Sequence, residues 1–283
     1  MTTYLITGAT GDIASRIVHL LLARGHRPRL FVRNAAKARA RFADQVDIVV
    51  GDLSDPTSLP PALDGIDSLF LVNSGPELAT RDSTAANAAK QAGVKHLVKL
   101  SSMDSLQNVG TGAWHAQGEA AIRATGIPFT FVQPCGFMSN ALWWASSIKS
   151  QGVVRAPTGE GRIPFIHSDD IAAVATKVLT TQHYIGQSLP ITGPEALNHA
   201  EMTAKIAAAI HQPLRFESIP VEQEAQHMID SGDSPQVVAA HVSIYRAIRD
   251  GRLSAVTGNV ARVLGRNPIT FDQWARENAQ TFR

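Results

Sequence analysis

The fold is decided by the stretch Tyr4-Leu5-Ile6-Thr7-Gly8-Ala9-Thr10-Gly11-Asp12-Ile13-Ala14 and by Phe31-Val32-Arg33 further along. The first apolar run predicts a strand, the glycines a tight turn, and the residues to about Arg24 a helix, before a second strand ends at Arg33. Gly8 permits the turn, and Gly11 lets backbone N–H groups approach a pyrophosphate at the positive end of the helix. Ala14 permits close packing of helix on strand. These features together predict a dinucleotide-binding βαβ unit.

The residue after the second strand bears on the choice of nucleotide. Arg33 lies about 20 residues beyond Gly11, where dinucleotide-binding proteins place the residue that contacts the ribose. An acidic side chain there would bind the 2′-hydroxyl of NAD, whereas an arginine pairs with the 2′-phosphate of NADP. Arg33 therefore favours NADPH, with a solvated charge at a strand end as the alternative.

Length and composition are those of a full-sized globular enzyme. The 283 residues can bury a large core, and 44% hydrophobic and 18% charged residues give no sign of disorder. The single cysteine, Cys135, excludes an internal disulfide and indicates a reducing compartment. A strand begins within the first few residues, so we expect no signal peptide, and no run approaches the roughly 18 apolar residues of a membrane span. The sequence predicts a cytoplasmic protein without membrane contacts.

The charge pattern argues against a nucleic-acid partner. The net charge of +2 is too small to indicate a polyanion, although one basic cluster has no acidic residue within it. No recognition helix or interleaved aromatic residues accompany that cluster. We expect Arg33, with Lys37 as a second candidate, to bind a phosphate and the remaining cations to be solvated. The cluster consists of Arg24, Arg27, Arg29, Arg33, Lys37, Arg39 and Arg41.

Strands and helices alternate along the first half of the chain. This alternation predicts a doubly wound parallel sheet of the Rossmann type, with the ligand outside the carboxyl ends of its strands. We expect a nucleotide-binding domain over residues 1–150, to which the chain returns around 166–192, and a smaller, mainly helical lobe over 151–283. The further strands are expected at Val46 to Val50, Ser68 to Val72, His96 to Leu100 and Phe129 to Val132, with helices at Glu77 to Gly93 and Ala113 to Thr125.

Several motifs resemble the NmrA-like atypical branch of the short-chain dehydrogenase/reductases. They are Gly8-Ala9-Thr10-Gly11, Val32-Arg33-Asn34, Gly51-Asp52, Ala92-Gly93-Val94-Lys95 and Gly126-Ile127-Pro128-Phe129-Thr130. That branch contains NAD(P)H-dependent reductases of quinones and dyes, and also nucleotide-binding regulators without activity. The resemblance implies that Gly8, Thr10, Gly11, Asp12, Ile13, Arg33, Asp52 and Leu53 line the adenosine and pyrophosphate, with Asn73, Ser74 and Ser101 nearer the nicotinamide.

The acid/base pair of ordinary short-chain dehydrogenases is missing. Those enzymes use a tyrosine and a lysine four residues apart, and none of the three tyrosines here has such a lysine. The corresponding helix instead carries His115 and Glu119, which share one face, so that Glu119 could orient His115 or raise its basicity. His115 is the candidate proton donor or substrate hydrogen bond, and a surface helix pair is the alternative.

Aromatic residues are the candidates for contacting a flat substrate. Phe137, Trp114 and Trp143 could stack on it, while packing in a helical core is the competing interpretation. His167, Asp169 and Asp170 are interpreted as a helix start, so no metal site is expected. No nucleophile elbow occurs that would indicate a hydrolase.

The sequence thus predicts an NADPH-dependent oxidoreductase that reduces a small, flat, electrophilic molecule by direct hydride transfer. A quinone-like molecule is the first candidate for this substrate. Quinones, dyes, enones and imines fit because they accept hydride with less help from an acid than a ketone needs. The alternative is a regulatory protein that senses NADP(H) and signals to a partner. Homo-oligomerisation stays open.

Overall fold

The computed structural model describes residues 2–283, which form two compact units. Unit 1 holds the chain up to Leu106 together with Gly112–Gln133 and Ile171–Pro190, and unit 2 holds Gln107–Thr111, Pro134–Asp170 and Ile191–Arg283. The sequence predicts a first domain that extends to residue 150, whereas residues 134–150 lie in unit 2. They do so because apolar side chains of the 3-10 segment Met138–Trp144 pack into the core of that unit.

The strands are short and most of them are apolar. They are β1 (Tyr4–Thr7), β2 (Arg29–Val32), β3 (Asp47–Val50), β4 (Ser68–Leu71), β5 (His96–Leu100), β6 (Phe129–Pro134), β7 (Val153–Ala156), β8 (Ser188–Ile191) and β9 (Arg215–Ser218). Every residue of β1, β4 and β5 is buried. Burial of whole strands is typical of parallel sheets that are covered by helices on both faces.

Twelve α-helices are described within residues 2–283. They are α1 (Asp12–Leu22), α2 (Ala35–Phe42), α3 (Leu59–Leu63), α4 (Leu78–Gln91), α5 (Gly112–Ala124), α6 (Ala145–Gln151), α7 (Ser168–Leu179), α8 (His199–Ile210), α9 (Val221–Asp230), α10 (Pro235–Arg249), α11 (Asn259–Leu264) and α12 (Phe271–Glu277). None of these helices combines the length and apolar character that a membrane crossing requires.

Unit 1 is built on a seven-stranded sheet in the order β3-β2-β1-β4-β5-β6-β8. The pairs among the first six strands are all parallel. The chain moves outward from β1 in one direction through β2 and β3, and in the other through β4, β5 and β6. The strand order therefore reverses between β1 and β4, which is the position where doubly wound sheets bind ligands. The predicted fold class is confirmed.

Unit 2 contains more strand than the sequence predicts. Besides its helices it contains a two-stranded parallel sheet of β7 and β9, paired from Val153 with Arg215 to Ala156 with Ser218. The prediction of a mainly helical lobe missed this sheet because β7 lies in a stretch rich in glycine and proline, which usually indicates loops.

Helix α7 begins at Ser168, as the sequence predicts. The carboxylate of Asp170 is fully buried, accepts a hydrogen bond from the Ile269 amide at 2.7 Å and pairs with Arg266 at 2.7 Å. Asp170 therefore fastens the segment that precedes α12, in addition to any interaction with the helix dipole.

Candidate functional site

The glycine turn after β1 is shaped for close approach of an anion. Gly8 has φ of +62°, and a Cβ added there would lie 2.7 Å from Val72 Cγ1, so that position accepts only glycine. The Gly11 amide donates to the Gly8 carbonyl at 2.8 Å and closes the turn. Gly11 is also the N-cap of α1 and supplies no side-chain cap. The first amides of α1 can therefore donate to a bound phosphate.

Cationic side chains lie beside this turn. Arg33 is exposed after β2, and its guanidinium has no hydrogen bond or ion pair within the described part of the chain. The Arg41 guanidinium donates to the Thr10 carbonyl of the turn at 3.3 Å, a contact that the sequence did not reveal. Asn34 caps α2 by accepting from the Lys37 amide at 3.0 Å. Arg33 is thus available to a phosphate next to the turn.

Asp52 and Leu53 follow β3, as predicted for residues near the adenosine. The Ser54 amide donates to the Asp52 carboxylate at 2.8 Å, and this hydrogen bond is the main cause that lowers the pKa of Asp52. Arg33 contributes to the same lowering of the pKa, which places its charge near Asp52. Leu53 is half-buried and packs against the core of unit 1.

A buried polar network lies at the carboxyl end of β4. The Asn73 side-chain amide, just after β4, donates from Nδ2 to Asp82 Oδ1 at 2.5 Å. The second oxygen of Asp82 forms an ion pair with Lys99 Nζ of β5 at 2.5 Å, and both charged side chains are 0% exposed. Burial raises the pKa of Asp82 and lowers that of Lys99, and the attraction between the two charges opposes both shifts. Sequence reasoning missed this pair.

Glu119 joins the carboxyl ends of β5 and β6. Its Oε1 accepts hydrogen bonds from Ser101 Oγ at 2.5 Å and from Gln133 Nε2 at 2.8 Å. Ser101, predicted to lie near the nicotinamide, is buried, and its hydroxyl donates to Glu119. Ser74, the neighbouring prediction, is exposed, and its carbonyl accepts from Arg81 at 3.0 Å.

The structure corrects the expected relation between Glu119 and His115. Within residues 2–283 the two side chains form no hydrogen bond, because Glu119 is bound to Ser101 and Gln133, and His115 Nδ1 is buried without a partner. Burial first, and the nearby Lys99 charge second, lower the pKa of His115 to about 3. His115 is consequently a neutral imidazole near pH 7.

Asp104 is a second titratable group at this edge that sequence reasoning missed. It lies in the 3-10 segment Met103–Leu106, which follows β5 and packs against α5. Burial raises the pKa of Asp104 to about 6, and a hydrogen bond with Ser102 opposes the rise. A carboxyl that is partly protonated near neutral pH is a candidate proton donor.

The predicted substrate residues fall into both units. Trp114 of α5 in unit 1 and Phe137 in unit 2 are half-buried. Phe137 pairs with Ile166 in an isolated parallel bridge, and Trp143, also in unit 2, is 71% exposed. No group of three or more potential metal ligands occurs in the part of the chain that the structure describes.

Comparison with known proteins identifies the family. A model of a family described as NAD(P)H-binding matches residues 8–182. The NAD(P)H azoreductase of Xenophilus azovorans is 36% identical to this chain over 281 residues, which cover 98% of each protein. The chain belongs to the NmrA-like NAD(P)H-dependent reductases. The resemblance seen in the sequence motifs is thereby confirmed, as is the assignment to the oxidoreductases.

Two further proteins extend the comparison. The reductase is 35% identical over 282 residues to (4-alkanoyl-5-oxo-2,5-dihydrofuran-3-yl)methyl phosphate reductase of Streptomyces griseus subsp. griseus, again over 98% of each chain. The crystal structure of an NADPH-dependent quinone oxidoreductase from Escherichia coli, complexed with NADPH, matches with a TM-score of 0.88 at 22% identity. This match covers 98% of the reductase and 99% of the other chain, and it shows the shared fold.

Proposed function

We propose that the protein is an NADPH-dependent reductase that passes a hydride directly to a small, flat electrophile of the quinone or azo-dye class. The observation that carries the proposal is the glycine turn at the switch point of the sheet, where the start of α1 lacks a side-chain cap and Arg33 is unpaired. Azoreductase and quinone oxidoreductase are the names of proteins similar to it in sequence. We also keep the cytoplasmic location and the absence of a nucleic-acid partner as predictions.

NADPH would supply the hydride, and the chain's own residues would bind and orient the nucleotide and the substrate. Backbone amides at the start of α1 would hold the pyrophosphate, and Arg33 would hold the 2′-phosphate. On the other side of the turn, Asn73 and Ser74 would lie near the nicotinamide. His115 can offer a hydrogen bond from a neutral ring but not a proton from an imidazolium.

The tyrosines available as proton donors limit the class of substrate. Tyr4 and Tyr184 are buried, and burial raises the pKa of Tyr245 to about 12. None of the three therefore resembles the activated tyrosine that protonates an alkoxide in ordinary short-chain dehydrogenases. Quinones and conjugated cations accept hydride without such a donor, and for that reason they rank above simple ketones.

The decisive experiment measures NADPH consumption by absorbance with a panel of quinones, azo and triphenylmethane dyes, enones and imines. We expect turnover with at least one quinone or dye. If the protein binds NADPH but no compound of the panel leads to its consumption, the result favours the alternative function, a regulatory protein that senses NADP(H). The measurement then becomes whether a partner protein binds differently in the presence of NADPH, NADP and neither.

Arg33 should set the preference between the two nucleotides. NADPH is expected to bind more tightly than NADH by about 1 to 3 kcal/mol, the contribution of a charge-assisted contact. Arg33→Ala should remove most of that difference and leave NADH affinity little changed, as measured by titration calorimetry at moderate salt. Arg27→Ala is the matched control, since Arg27 is paired with Asp47 at 2.8 Å. Equal affinities of the unmodified protein for both nucleotides would refute the assignment.

His115 should have a modest effect on the rate. Because its pKa is lowered to about 3, its charge does not change in the working pH range, and His115→Ala should slow reduction less than about tenfold, mainly through KM. Steady-state kinetics over pH measures this. A loss above about 1000-fold would identify His115 as a proton donor after all. A step in the rate near pH 6 that disappears in Asp104→Asn would identify Asp104 instead.

A further inference from the structure

The Asp82–Lys99 ion pair needs an explanation beyond stability. Both side chains are 0% exposed, and Lys99 Nζ lies 2.5 Å from Asp82 Oδ2. Taking two charges out of water costs several kcal/mol each, and apolar replacements of such pairs are often neutral or stabilising. Stability alone therefore does not account for the pair.

The helix packed above the pair is adapted to it. A Cβ added to Gly118 of α5 would lie 2.2 Å from Asp82 Oδ2, so α5 approaches the carboxylate closely only because this residue is glycine. Three elements, α4, α5 and β5, thus enclose one carboxylate, whose other oxygen, Oδ1, accepts from Asn73. This enclosed carboxylate holds the Asn73 side-chain amide in place.

The pair determines which atom of Asn73 remains available. Asp82 Oδ1 accepts from Asn73 Nδ2 at 2.5 Å, and the opposite amide orientation would set two oxygens against each other. The other amide atom, Oδ1, is buried and has no hydrogen-bond partner among residues 2–283. An unpaired buried acceptor is costly, and a bound ligand that offers a donor at this position would remove that cost.

The strand order indicates which half of the nucleotide supplies that donor. In the order β3-β2-β1-β4, the turn after β1 lies between Arg33 and Asp52 on one side and Asn73 on the other. With the pyrophosphate at the turn and the adenosine toward β2 and β3, the nicotinamide riboside lies toward β4. That half carries donors in its carboxamide N–H groups and ribose hydroxyls.

We propose that Asp82 and Lys99 are positioning residues of the reductase, which fix the Asn73 amide so that Oδ1 accepts a hydrogen bond from the nicotinamide riboside half of NADPH. Asp82 accepts the hydrogen bond from Asn73 Nδ2. The charge of Lys99 favours the ionised form of this buried carboxyl, in which both oxygens are acceptors. The role rests on the proposed function, since it requires NADPH at this edge of the sheet.

Two double variants test the role, because each removes both charges and leaves no buried ion unpaired. Asp82→Ala/Lys99→Met has no acceptor for Asn73 Nδ2, whereas Asp82→Asn/Lys99→Met retains one. In fluorescence titrations we expect the first to bind NADPH about tenfold more weakly and the second to recover most of the loss. Asn73→Ala should cause the same loss as the first variant, and combining the two should add nothing further.

A nucleotide fragment separates positioning from general damage. Adenosine 2′,5′-bisphosphate lacks the nicotinamide riboside, so its affinity should be unchanged in every variant. Lys95→Met, which breaks the exposed Lys95–Asp67 pair, is the control variant, and its affinity for NADPH should also be unchanged. Unchanged NADPH affinity in Asp82→Ala/Lys99→Met, or an equal loss for the fragment and NADPH, would overturn the positioning role. Failure of the unmodified protein to bind NADPH would instead overturn the proposed function.

Discussion

Gly11→Val is expected to abolish binding of both NADPH and NADH while the protein stays folded. Gly11 has φ of −83°, which other residues adopt, and a Cβ there would make one close contact, 3.2 Å to the Gly8 carbonyl oxygen, which a small shift of the turn relieves. A valine side chain would instead occupy the space through which the pyrophosphate reaches the α1 amides. Loss of two charge-assisted hydrogen bonds costs about 3 kcal/mol or more, which is a loss in affinity above about 100-fold.

A matched control exists in unit 2. Gly258 is also a helix N-cap without a side-chain cap, has φ of −86°, and has open space around its Cβ position. Gly258→Val should leave nucleotide affinity unchanged, as measured by titration calorimetry, while circular dichroism checks that both variants are folded. Retained nucleotide binding in a folded Gly11→Val protein would mean that the glycine motif is only a turn.

Much of unit 1 could be predicted because each element carries its own local signal. Strands such as β1 and β4 are continuous apolar runs, and glycine follows α4 and α5 shortly after they end. The carboxyl-end residues then follow from topology, since parallel strands present these ends at one edge. The sequence predicts Arg33, Asp52 and Asn73 at that edge in this way, and each does follow its strand.

The buried network could not be predicted from local pattern. Lys99 lies in the strand run His-Leu-Val-Lys-Leu, where a lysine usually indicates an exposed position, and its partner Asp82 lies on helix α4, 17 residues earlier in the chain. One signal was present: Gly118 interrupts a helix, and an internal helical glycine often has a packing reason. The expected His115–Glu119 pair failed for a related cause, because spacing along α5 cannot show that Ser101 and Gln133 bind Glu119 more directly.

Lys99→Met alone should destabilise the protein by about 3 to 5 kcal/mol at about pH 7, since it leaves the Asp82 carboxylate buried without its counter-charge. Asp82→Ala/Lys99→Met should recover most of that loss, because no buried charge remains. Lys95→Met, in the exposed pair, should cost less than about 1 kcal/mol. Urea unfolding measures all three.

The pH dependence of the deficit identifies its cause. Burial already raises the pKa of Asp82, and removing the Lys99 charge, which lowers it, raises that pKa further. A carboxyl whose pKa is higher in the folded than in the unfolded state binds protons more readily when folded. The amount by which its buried charge destabilises the folded protein therefore decreases as pH falls from the folded pKa toward the unfolded pKa. The Lys99→Met deficit should therefore be smaller at about pH 5 than at about pH 7. A deficit that is equal at both pH values, or a double variant as unstable as the single one, would point to lost packing of the lysine chain rather than to an unpaired charge.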